Sequence, residues 1–157
     1  VMSIKDDLTG LYNRRGFFTL AGQQIKIAER TKKDMLLFFV DLDKMKDIND
    51  TYGHKEGDKA LQEVSAILKE VFRESDIIGR IGGDEFAILA LDTADESQEV
   101  LTMRLHNTLA AYNRLGGRRY RLSLSIGTAS YDSETPSTID ELMSRADTLM
   151  YEEKRGK

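Results

Sequence analysis

The chain has 157 residues, with 23 Lys plus Arg against 27 Asp plus Glu, a formal net charge of −4, no cysteine and a single proline. That length allows one ordinary core rather than two; the acidic balance excludes a protein that coats a nucleic-acid polymer, and the absence of cysteine excludes disulfides and thiolate metal sites. The longest apolar run, Met35 to Val40, is far too short to span a bilayer and no basic-then-apolar leader opens the sequence, so a cytoplasmic domain without direct membrane contact is expected, even within a longer, membrane-anchored protein.

Asn13 is placed to cap a helix carrying Phe17, Phe18, Ala21, Ile25 and Ala28 at helical spacing. Arg30 to Asp34 is a charged break. Met35-Leu-Leu-Phe-Phe-Val40 is the continuous apolar run of a strand buried on both faces. It runs straight into Asp41-Leu-Asp43, which puts carboxylates at a strand end, where open-sheet proteins keep their sites. Lys44 to Tyr52 reads as a short helix or turn closed by Gly53. A longer helix from about His54 to Phe72 follows, with Leu61, Val64, Leu68 and Val71 as its buried stripe.

Ile77, Ile78 and Ile81 read as one short strand and Phe86 to Leu91 as another. Gly82-Gly83 between them predicts a hairpin, on the ground that glycine reaches positive φ without steric cost. Asp84 and Glu85 then sit at its mouth. Asp95 with Gln98 is a capping signature for a helix carrying Leu101, Leu105, Leu109 and Tyr112, ended by Gly116-Gly117. Tyr120, Leu122, Leu124 and Ile126 alternate with Arg121, Ser123 and Ser125, as in a strand with one wetter face. After Pro136, Thr138-Ile-Asp-Glu141 is a capping box for a last helix with Leu142, Ala146, Leu149 and Met150.

Without its first helix this order is β-α-β-β-α-β plus a trailing helix, an α+β fold of the split, ferredoxin-like kind with a mostly antiparallel sheet flanked by helices. The ends of the first strand and of the central hairpin are neighbours in that topology, so Asp41 and Asp84 can meet. Two acids brought together without a cation destabilise each other. A solvated turn tip is the plain explanation of Asp84-Glu85 alone; acids that hold the metal of a large anionic ligand, with bare glycine letting it approach, are the sharper one.

Asp41-Leu-Asp43-Lys-Met-Lys46, Ile48-Asn49-Asp50, Gly53-His54 and Gly57-Asp58, followed by Arg80-Ile-Gly-Gly-Asp-Glu-Phe86, resemble the GGDEF-domain diguanylate cyclases. Asp7-Leu-Thr-Gly-Leu11 with Asn13-Arg-Arg15, Ser125-Ile-Gly127, and Ala146-Asp147 leading to Met150-Tyr151 and Lys154 are similar to further blocks of that family. The resemblance spans nearly the whole chain. It implies a palm-like form of the split fold and the joining of two GTP into cyclic di-GMP, with two pyrophosphates released, between the facing sites of a homodimer. It also implies Mg²⁺, with Mn²⁺ as a substitute, held by Asp41, the main-chain carbonyl of Leu42 and Asp84. Glu85 would be a further metal contact or the acceptor of the hydroxyl proton. Lys46 would stabilise charge on the reacting phosphate, Lys154 would hold phosphate, and N–H groups of the turn after Asp41 would serve as donors. Gly82 and Gly83 clear space for the substrate.

Asp58, with Asn49 and His54 beside it, would accept from guanine N1–H and N2–H₂, a pair adenine cannot offer. Arg73-Glu-Ser-Asp76, with Arg80 added, is similar to the family's inhibitory product site, where an arginine fork reads guanine O6 and N7. Taken alone, Arg73 is an ordinary cation at a helix C-terminus, but its distance from Gly82 favours the inhibitory site; His54 is equally an exposed helix-start residue. Lys44 and Met45 stand where many members carry aromatics, and no second phosphate cation beyond Lys154 is assigned. Residues 1–157 are expected to form one catalytic domain cut from a longer signalling protein, downstream of a sensor or receiver. An active cyclase is favoured by the intact Asp84 and Glu85; the alternative is a non-catalytic GTP or cyclic di-GMP receptor.

Overall fold

Asn13 opens the first helix as expected: its Oδ1 accepts from the Gly16 N–H at 2.9 Å, and α1 (Arg14–Thr31) ends where Lys32 turns left-handed with φ 58°. The computed structural model describes residues 2–93 and 96–157. After α1 come β1 (Met35–Leu42), α2 (Met45–Tyr52), α3 (His54–Val71), β2 (Ile77–Arg80) and β3 (Glu85–Ala90). Then follow α4 (Gln98–Leu115), β4 (Leu124–Tyr131) and α5 (Ile139–Arg155). The sheet order is β2-β3-β1-β4 and every neighbouring pair is antiparallel. This is the split βαββαβ order, with β1 in the middle.

The apolar run of β1 is buried along its whole length because helices cover both faces of the sheet. Leu36, Phe38, Val40 and Leu42 join Leu61, Val64 and Leu68 of α3 and Leu101, Leu105 and Leu109 of α4 in one apolar cluster. Met35, Leu37 and Phe39 point the other way, into a cluster with Phe17, Ala21 and Ile25 of α1 and Leu142, Ala146 and Met150 of α5. Alternate side chains of one strand thus serve two cores. A fully buried Phe38 or Leu37 contributes on the order of 1.5–3 kcal/mol to that arrangement. By the same alternation Asp41 and Asp43 fall on the α5 side. Among the described residues no helix is long and apolar enough to cross a membrane.

Details of the hairpin, the fourth strand and two helices differ from the sequence-based expectations. Gly82 and Gly83 are not among the glycines with positive φ; the hairpin needs the first of them for close approach, since a Cβ on Gly82 would lie 2.3 Å from Glu85 Oε1. The fourth strand starts at Leu124 rather than Tyr120. Leu122 cannot pair there because the Asn113 amide occupies its backbone, accepting from its N–H at 2.8 Å and donating to its C=O at 2.9 Å. Of the expected wetter positions, Arg121 is exposed and Ser123 half-buried ahead of the strand, whereas Ser125, inside it, is buried on the side that α5 covers. Leu149 is 47% exposed rather than part of the core, because the apolar stripe of α5 runs through Leu142, Met143, Ala146 and Met150. Asp95 lies outside the described residues, and the side chain that caps α4 is Ser97, which accepts from Val100 N–H at 3.2 Å. The Thr138–Glu141 capping box of α5 forms as expected.

Candidate active site

The antiparallel register puts Asp41 of β1 directly across from Glu85, the first residue of β3. One step further, Leu42 donates its N–H to the carbonyl of Asp84 at 2.9 Å. The strand end and the hairpin mouth are therefore joined through their backbones, and the acids are held near one another by the sheet. Asp41 is 6% exposed. Its Oδ2 accepts from Lys154 Nζ at 2.7 Å, whereas its buried Oδ1 has no hydrogen-bond partner among the described residues. Burial, with the charges of Asp84 and Glu85 beside it, pushes the Asp41 carboxyl up to about 6 against the opposing pull of Lys154. Burial, then Asp84 and Asp147, also raises Glu85 above its ordinary value. Burial pulls the Lys154 ammonium down, but its bond to Asp41 and the charges of Asp84 and Asp43 leave it raised.

Lys154 reaches this point because α5 lies hard against β4. A Cβ on Gly127 would fall 1.9 Å from the carbonyl of Ala146 and 2.4 Å from the N of Met150, so the Ser125-Ile-Gly127 block is a packing requirement that sets the helix end over the acids. Asp43, two residues along, is held differently. Its Oδ1 accepts from Ser125 Oγ at 2.7 Å, and its Oδ2 from Ser123 Oγ at 2.6 Å and Lys157 Nζ at 2.8 Å. Burial acts to raise it, but these bonds win and leave it below the ordinary carboxylate value. Sequence reasoning did not foresee this cradle. The i, i+2 spacing of Asp41 and Asp43 was its only visible signal.

Beyond the acids an open cleft of about 470 Å³ is lined by Lys46, Asn49, His54, Asp58, Gly83 and Asp84, with Met45, Asp50, Leu61 and Arg80 completing it. Residues chosen from distant blocks of sequence thus line one surface. Among the described residues Asn49 Oδ1 is buried without a partner, and a Cβ on Gly57 would lie 1.8 Å from it, so the small residue at 57 makes room for that amide. Lys44, at φ 59°, precedes α2 without offering a side-chain cap. The first N–H groups of α2 therefore lack a capping side chain and face the helix-dipole end that favours anions.

Arg73 and Asp76 lie elsewhere, on a separate cleft of about 850 Å³ that Arg80 does not line. Asp76 accepts from the backbone N–H of Arg73 at 2.9 Å and of Leu91 at 3.0 Å. Arg73 pairs with Glu96 at 2.6 Å and, more loosely, with Asp92 at 3.8 Å. Arg80 instead reaches Asp6 and the carbonyl of Gly83. The structure does not bring the three inhibitory-site candidates together.

The donor set suits a hard divalent cation. Asp41 gives one carboxylate oxygen to Lys154 and, among the described residues, leaves the other buried and unpartnered beside the charges of Asp84 and Glu85. Among the described residues no three acidic or histidine side chains form a ready-made cage; Glu85 lies against Gly82. That fits Mg²⁺, which takes one or two carboxylates and fills its remaining positions with water and phosphate oxygens.

Comparison with known proteins follows the same lines. The family described as "Diguanylate cyclase, GGDEF domain" matches residues 3–157. The chain is 36% identical over 156 residues to the probable diguanylate cyclase DgcC of Escherichia coli K12, covering 99% of this chain and 42% of that one. It is 34% identical over 153 residues to the cyclic di-GMP phosphodiesterase NbdA of Pseudomonas aeruginosa, covering 98% of this chain and 19% of that one. Among solved structures, the GGDEF domain of DgcB from Caulobacter crescentus in complex with c-di-GMP superimposes with a TM-score of 0.87 at 28% identity, over 99% of this chain and 92% of that one.

Proposed function

The chain belongs to the GGDEF-domain diguanylate cyclase family, and on that premise we propose that it condenses two GTP into cyclic di-GMP and two pyrophosphates, between the facing sites of a homodimer. The observation that carries the proposal is the buried, unpartnered oxygen of Asp41 beside Asp84, at the edge of the cleft lined by Lys46, Asn49 and Asp58. Mg²⁺ or Mn²⁺ would be held by Asp41, the Leu42 carbonyl and Asp84, and when bound it lowers the pKa of the attacking hydroxyl and offsets phosphate charge.

The residues of the chain have separable tasks. Asp58 accepts from guanine N1–H and N2–H₂, with Asn49 and His54 beside the base. The first N–H groups of α2 and the ammonium groups of Lys46 and Lys154 hold the phosphates. Lys154 balances Asp41 in the ligand-free chain, so a polyphosphate competes with Asp41 for that charge. In each half-reaction the 3′-oxygen of one GTP bonds to the α-phosphorus of the other, the bond from that phosphorus to the β-phosphate bridge breaks, and pyrophosphate leaves. Glu85, its carboxyl already raised, receives the hydroxyl proton. Two such steps close the ring.

Arg73 and Asp76 form the product-binding site of this reading, supported by a 46% exposed Arg73 side chain at an open cleft. The chain spans less than half the length of the curated relatives it matches, and we propose it as the catalytic domain of a longer signalling protein whose upstream sensor or receiver controls pairing. Incubation with GTP and Mg²⁺, followed by chromatography, tests the reading: cyclic di-GMP and pyrophosphate in a one-to-two ratio are expected. Retained nucleotide binding without product at high enzyme concentration would leave a receptor instead.

A further inference from the structure

The segment before α1 contains an acid that the chemistry above does not use. Asp6 opens a closed loop, accepting from the Gly10 N–H at 2.8 Å through its carbonyl and donating its own N–H to Leu11 at 2.7 Å. Its Oδ2 accepts from Thr9 N–H at 3.0 Å and Thr9 Oγ1 at 2.8 Å. Tyr12 then runs along the edge of β2, donating to Ile78 O at 3.2 Å and accepting from Arg80 N–H at 2.8 Å. The loop is thereby fixed to the strand that leads into Gly82-Gly83.

Arg80 connects that loop to the hairpin. Its Nη1 lies 3.3 Å from both oxygens of Asp6, while its Nε and Nη2 donate to the single carbonyl of Gly83 at 3.2 and 2.8 Å. The two side chains are only 18% and 20% exposed. No described residue crowds Gly83 itself: a Cβ there would meet nothing within 4 Å. Its carbonyl shares a rigid peptide plane with the N–H of Asp84, so the guanidinium that holds the one orients the other. On the far side of the residue the Asp84 carbonyl accepts from Leu42. Both peptide units flanking Asp84 are therefore anchored, one by the sheet and one by Arg80.

We infer that Arg80 is a positioning residue, braced by Asp6, which holds the Gly83–Asp84 peptide so that the Asp84 carboxylate faces Asp41. The inference rests on the cyclase reading for its functional meaning, but the anchoring can be measured without turnover. Its physical reason is the planar fork of arginine, which spans a carboxylate and a carbonyl at once as a lysine ammonium cannot.

The test uses Asp6→Asn, which leaves the cleft residues untouched and keeps the side-chain shape, alongside Arg80→Lys. The readouts are amide hydrogen exchange over residues 82–86, thermal unfolding, the Mg²⁺ and GTP dependence of cyclic di-GMP formation, and GTP binding with EDTA present. Faster exchange confined to that segment is expected in both variants, with the unfolding temperature held. The Mg²⁺ concentration for half-maximal rate should rise about tenfold in Arg80→Lys, the lower end of what loss of a support to a metal ligand brings, and less in Asp6→Asn. In Asp6→Asn, GTP binding measured with EDTA present should stay within about twofold of the unsubstituted chain, since only the metal ligand is loosened. Unchanged exchange at 82–86 in Asp6→Asn overturns the inference whether or not the chain makes cyclic di-GMP. A rise in KM for GTP with an unmoved Mg²⁺ dependence overturns it too, by making Arg80 a direct substrate contact. An inactive chain with the expected exchange pattern would count against the cyclase reading alone.

Discussion

The sheet end at Asp41 and the turn at Arg73–Asp76 both carry charged residues in family-like patterns, yet they are built on opposite terms. At the sheet end, acids are packed near one another and one buried oxygen of Asp41 has no hydrogen-bond partner among the described residues. At the turn, both carboxylate oxygens of Asp76 accept backbone N–H groups and Arg73 has acidic neighbours. The turn stabilises itself without any ligand. The sheet end is held in place by the register of β1 and β3 in spite of its charges, and a bound cation would offset that repulsion. Substitutions in the two regions should therefore separate activity from stability in opposite ways.

Asp84→Ala is the most damaging change in this scheme. Cyclic di-GMP formation should fall by more than about a hundredfold, beyond what losing a mere support to a metal ligand brings. The ligand-free protein should unfold at the same temperature or higher, because Asp41 and Glu85 lose a like charge. Product chromatography and thermal unfolding check the two halves, and a clear drop in unfolding temperature would show that the acids do not strain the site. Asp58→Ala comes next. The preference for GTP over ATP, read as a ratio of kcat/KM values, should shrink by about tenfold to a hundredfold with stability unchanged, since Asp58 is exposed near the start of α3. A preserved ratio would move guanine recognition to Asn49 or His54.

Much of the sheet-end site was legible in the sequence because it follows from topology. An apolar run ending in acids and a hairpin ending in acids become neighbours once the split βαββαβ order is recognised, and Asp41 does lie across from Glu85. The cleft residues Lys46, Asn49 and Asp58 could be placed because the short α2 and then α3 follow β1 without a long loop. The contacts that were not legible are of another kind. Asp6 with Arg80, and Asp43 with Lys157, join residues 74 and 114 positions apart through single long side chains. No periodicity or turn chemistry marks such pairs. Asn113 blocking the backbone of Leu122 shifted the start of β4 by the same sort of side-chain reach. The two hairpin glycines were identified correctly but for the wrong reason: Gly82 is needed for closeness to Glu85, not for its φ.

The smallest expected effects lie at the turn, and they decide whether it is more than a fold device. Arg73→Ala removes a half-exposed ion pair with Glu96, which is worth less than about 1 kcal/mol, so unfolding should scarcely change. If the cleft beside it takes product, the cyclic di-GMP concentration that halves the rate should rise by about tenfold, the loss of one arginine fork on guanine, for which about 1–3 kcal/mol is typical. Asp76→Ala should behave differently, because its carboxylate carries two backbone N–H groups. Leaving them without a partner costs about 1–3 kcal/mol, so both unfolding and inhibition should respond. The diagnostic pair is therefore Arg73→Ala and Asp76→Ala measured side by side. Lost inhibition in both with lost stability only in the second assigns the turn a ligand; intact inhibition in Arg73→Ala leaves it as the self-satisfied corner its hydrogen bonds already describe.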